Sequence, residues 1–106
     1  MTCFEPKTYE EFENLINKHP LIIFFFTTAS ETNPERKAIA NKFEGYTSSY
    51  YWQKFGKVDL EQHPEIAEAY KKYGTHNFVA FKNGRVDSYC NTTDASDLLC
   101  MLDRIR

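Results

Sequence analysis

Leu21-Ile22-Ile23-Phe24-Phe25-Phe26 form an uninterrupted apolar run of six residues near the start of the chain. A run this short, β-branched and aromatic, predicts a strand buried on both faces, as in a parallel sheet. It breaks into a polar stretch over 27–33 and restarts at Asn33-Pro34 with helix-start chemistry. Asn is a good N-cap, and Pro34 suits the first helical position, where an N–H would lack a partner anyway. Upstream, Thr8 and Glu11 have capping-box spacing, and Phe12, Leu15 and Ile16 share one helical face. They predict a helix over 9–17, closed by His19-Pro20 and preceded by a short edge strand at Cys3-Phe4.

The helix opening at Pro34 should bury Ile39, Phe43 and Tyr46 and dissolve over 45–49. Aromatics over 51–58 predict a third strand ending at Asp59. Residues 64–73 predict a helix with Ile66, Ala67 and Tyr70 inward, Lys71-Lys72 at its C-terminal end and Gly74 as a left-handed cap. Phe78-Val79-Ala80-Phe81 reads as a strand, and Asn83-Gly84 is a hairpin signal because a type I′ turn needs φ > 0 twice. The antiparallel strand 85–90 follows. Thr93 or Asp94 should cap a last helix with Leu98, Leu99, Leu102 and Ile105 on one face. The order β-α-β-α-β-α-β-β-α is an α/β pattern with parallel helix-linked neighbours and an antiparallel hairpin at one edge. In such sheets sites form at the carboxyl ends of strands, so the loop after the second strand draws attention first.

At 106 residues the expectation is one domain, with nine Phe, seven Tyr and one Trp supplying much of its core. A net charge of −2 without a Lys/Arg block gives no reason to expect nucleic acid or an acidic membrane as partner. The first residues lack the basic and apolar regions of a signal peptide, and six apolar residues cannot span a bilayer. Cys3, Cys90 and Cys100 are odd in number and widely spaced, unlike a disulfide framework or a zinc motif. A cytoplasmic location is the expectation, under which the sequon Asn91-Thr92-Thr93 is a chance match. His19, His63 and His76 are scattered, so no metal is expected, and no cofactor is implied.

With Phe-Lys-Asn-Gly-Arg at 81–85 and Lys57-Val58-Asp59 opening the stretch to Gly74, this succession resembles the thioredoxin family. The likeness runs from about residue 4 to 105. It extends to an alanine- and tyrosine-containing third helix, matched by Ala67 and Tyr70, and to the Lys82-Asn83-Gly84 hairpin. It implies a thioredoxin fold with a mixed central sheet flanked by helices; cell redox homeostasis would carry over by resemblance only. The family's chemistry is not matched. Its Trp-Cys-Gly-Pro-Cys motif corresponds to Ala29-Ser30-Glu31-Thr32-Asn33, and its buried strand-two aspartate, which helps move protons, corresponds to Phe24. Its cis-proline before strand four corresponds to His76, and its glycine after strand five to Asn91 or Thr92.

Disulfide exchange needs an attacking thiolate and a second, resolving thiol, and Ser30 cannot form the mixed-disulfide intermediate. The expected role is therefore a redox-inactive protein- or peptide-binding or scaffold module. In the family, extended peptides lie in a groove against these loops by strand addition. By the same correspondence that groove would comprise Ala29, Ser30, Glu31, Thr32, Thr75, His76, Asn91 and Thr92. The alternative is a thiol-handling enzyme, a disulfide reductase or glutathione-dependent, using Cys90 as a reactive thiol or glutathione bound near Ser30. A subunit role in a larger assembly is a third reading.

Several residues have simpler roles as the expectation. Ser30 reads as a locally bonded loop serine, and a Ser30–His76 nucleophile–base pair would still need an orienting acid and an oxyanion hole. Cys90 reads as an inert strand cysteine and Cys100 as a small core or half-buried residue. The Thr75–His76 peptide is expected to be trans, since a cis bond before a non-proline residue costs about 3 kcal/mol. Glu31, Glu35, Asp59, Glu61, Glu65 and Glu68 read as solvated faces. Tyr50, Tyr51 and Trp52 read as core and strand cover.

Overall fold

The computed structural model describes residues 3–27, 32–49, 53–70 and 78–104. In chain order they form β1 (Cys3–Phe4), α1 (Tyr9–Lys18), β2 (Leu21–Thr27), α2 (Pro34–Ser49), β3 (Lys54–Asp59), α3 (Pro64–Tyr70), β4 (Phe78–Lys82), β5 (Arg85–Cys90) and α4 (Ala95–Arg104). The predicted succession is the observed one.

The five strands order as β1-β3-β2-β4-β5, so the apolar run of β2 lies at the centre. β3 is parallel to both β1 and β2, whereas β4 is antiparallel to β2 and to β5. The expectation that every helix link joins parallel neighbours fails at α3, which leads into an antiparallel strand. β4 is held there by its register on β2, Phe25 opposite Phe78 and Phe24 opposite Val79, which puts apolar side chains together on both faces. The hairpin closes with Asn83 at φ 53° and Gly84 at φ 82°, as its turn chemistry requires.

Alternation along the strands divides the core between the two faces of the sheet. Ile23, Phe25, Phe55, Phe78 and Ala80 pack with Ile39 and Phe43 of α2 and Leu98, Met101 and Leu102 of α4. Ile22, Phe24, Phe26, Val58, Val79 and Phe81 pack with Phe12 and Ile16 of α1 and Ile66 of α3. The α1 cap forms as expected, with Thr8 Oγ1 accepting from the Glu11 N–H at 3.0 Å.

Four readings are corrected. α2 continues through Gly45 to Ser49 instead of dissolving, because Tyr46 packs on the core and Thr47 is buried, its hydroxyl donating to the Glu44 carbonyl at 2.7 Å. β3 begins at Lys54, after Gln53 has turned inward to donate to the Leu102 carbonyl at 3.2 Å. On α4 the buried face is Leu98, Met101 and Leu102, with Leu99 half-buried. Cys100, two positions past Leu98 and so about 200° around the helix, is exposed rather than half-buried. The readings at Tyr50, Tyr51 and Trp52, at residues 71–77 and at Ile105 lie outside the described residues.

Candidate functional site

α2 begins at the carboxyl end of β2, and its first turn is closed by a side chain. Asn33 Oδ1 accepts from the N–H groups of Glu35 at 2.8 Å and Arg36 at 3.3 Å, which satisfies two of the unpaired amides of a helix start. This is the position that the family resemblance equates with the second cysteine of its motif. Here it performs helix capping, with oxygen in the place of sulfur.

On the sheet face turned away from α2, Phe24 is fully buried in β2, with its ring among those of Phe12, Phe26 and Phe81 at centroid separations of 4.8, 6.3 and 5.9 Å. Its neighbour across the parallel ladder is Gly56 of β3. A Cβ at Gly56 would come within 3.0 Å of three carbons of the Phe24 ring. The ring therefore lies over bare backbone. The position that carries a proton-handling carboxylate in the family is here an apolar wedge accommodated by a missing side chain. A glycine inside a strand pattern signals such close approach, and this was the cue available in the sequence for the role of Gly56.

The connection from β5 to α4 carries Asn91 and Thr92, which the family resemblance places with Thr32. The Asp94 carboxylate accepts from the Ser96 N–H at 2.8 Å, which settles the choice of cap in favour of Asp94 over Thr93. The Thr92 hydroxyl accepts from the Asp94 N–H at 2.9 Å and donates to the Asp97 carboxylate at 2.9 Å. Thr92 is thus engaged in shaping the entry to α4. Thr93 donates to the Glu35 carboxylate at 3.3 Å, tying this connection to the first turn of α2 across 58 residues of sequence. Thr32 and Asn91 are exposed, and Thr92 is half-buried. The structure brings the two segments bearing Thr32, Asn91 and Thr92 together through the Thr93–Glu35 bond, which sequence reading did not single out. Ala29, Ser30, Glu31, Thr75 and His76 lie outside the described residues, as does the Thr75–His76 peptide.

The thiols are separate. Cys90 Sγ lies 3.5 Å from the sulfur of Met101, and burial, followed by the Asp97 carboxylate, pushes its pKa up against the opposing pull of Arg104. Cys3 is pushed up to about 11 by burial, then by Glu44 and Glu5, with Lys57 opposing. Both are held as neutral thiols at physiological pH, the unreactive form. Among the described residues no three His, Cys, Asp or Glu side chains gather into a metal-binding group, and no helix is long and apolar enough to cross a membrane.

No family model matches the chain. It is 34% identical over 76 residues to thioredoxin-1 of Schizosaccharomyces pombe, an alignment covering 70% of each protein. Its fold superposes on the thioredoxin of Plasmodium falciparum with a TM-score of 0.85 at 24% identity, covering 97% of this chain and 99% of that one. The thioredoxin of Fasciola hepatica matches with a TM-score of 0.83 at 25% identity over 97% and 99% of the two chains. With 34% identity extending over 70% of both sequences and the fold superposing over nearly the whole chain, this chain belongs to the thioredoxin family.

Proposed function

We propose that this thioredoxin-family protein is redox-inactive at the family's motif position and works by binding a protein or an extended peptide. The observation that carries the reading is Asn33, a helix cap where the resolving cysteine belongs, with its side-chain oxygen already committed to two backbone amides. Ser30 in place of the attacking cysteine and Phe24 in place of the buried carboxylate point the same way. What remains is the peptide-accepting end of the fold, with Thr32, Asn91 and Thr92 on its rim. The rival reading, a thiol-handling enzyme, would rest on glutathione bound near Ser30 or on Cys90, and the burial and neighbouring carboxylate of Cys90 favour its inert protonated form.

Insulin reduction in dithiothreitol tests the proposal. The wild type and Cys90→Ser should both proceed at the rate of the reagent alone. Turnover near that of a dithiol thioredoxin would overturn the reading, and so would a rate above background that Cys90→Ser abolishes. The binding half is tested by affinity capture from the native cell. A partner retained by a variant with all three cysteines replaced by serine, and lost on Thr32→Arg together with Asn91→Arg, supports it. Capture lost with the cysteines would assign the contact to thiol chemistry instead.

A further inference from the structure

We draw no further inference here: the strongest candidate, the carboxylate-rich rim formed by Glu35, Asp94 and Asp97 beside Thr92 and Thr93, is a cluster of acids bonded within the α2 and α4 helix starts, and nothing in the structure shows what covers it.

Discussion

Gly56 is the residue on which the placement of Phe24 depends. Adding one methyl group by Gly56→Ala sets a Cβ against a ring confined by Phe12, Phe26 and Phe81, and overpacking of this kind costs about 1–3 kcal/mol. Urea unfolding should show the loss as a lower midpoint at unchanged slope. Combining Gly56→Ala with Phe24→Leu should cost less than the sum of the two single changes, because the residues are in contact. Strict additivity would contradict the wedge. Cys3 makes a pH-dependent prediction. Its folded pKa of about 11 lies above its ordinary 9.0, so the native state keeps a proton that the unfolded chain gives up. The resulting stability is full below about pH 9 and declines as the pH rises towards 11. Cys3→Ser should flatten that decline, and an equal slope in the variant would assign it to another group. At this scale the sequence conveyed identities well and surroundings poorly. The absence of cysteine at Ser30 and Asn33 was plain from the letters. The exposure of Cys100 and the burial of Met101 depended on the rotation of one helix, which a short apolar stripe leaves uncertain by about one position.

Local punctuation decided where most elements begin. Thr8, Asn33 and Asp94 each precede a helix and each accept an N–H bond from its first turn. Thr8→Ala and Asn33→Ala should each lower stability by about 1 kcal/mol, measurable by thermal or denaturant unfolding. Gly84→Ala should cost at least about 1 kcal/mol, since an L side chain resists φ 82° and the added Cβ would lie 2.5 Å from Asn17 Oδ1. Element ends were less legible than starts for a physical reason. Gly45, Thr47 and Ser48 are weak helix formers, yet α2 carries on through them because its inner side is fastened to the core. The antiparallel direction of β4 escaped the rule for helix-linked strands because direction is fixed by pairing with β2, which a linear pattern does not encode.

For the molecule as a whole, fold and chemistry are carried by different residues. The β2 run, the Asn83-Gly84 turn and the capped helices specify the architecture, and all of them are intact. The departures fall at Phe24, Ser30 and Asn33, and at His76 and Asn91 or Thr92. Returning both cysteines, Ser30→Cys with Asn33→Cys, should therefore yield a dithiol that reduces insulin more slowly than a family member with its carboxylate. General acid–base assistance of this kind contributes roughly a hundredfold or more. A rate equal to that of an ordinary thioredoxin would show that the carboxylate is dispensable here. Phe24→Asp should not supply the missing group cheaply, because removing a buried phenyl ring alone costs about 3–5 kcal/mol. The Phe24–Gly56 contact consequently ties the two positions together, so that neither can change size alone without cost. A variant that enlarged Gly56 first would strain against the ring, and one that shrank Phe24 first would carry a void. Each single step passes through a weaker protein, so the pair acts as a latch that only a concerted change releases.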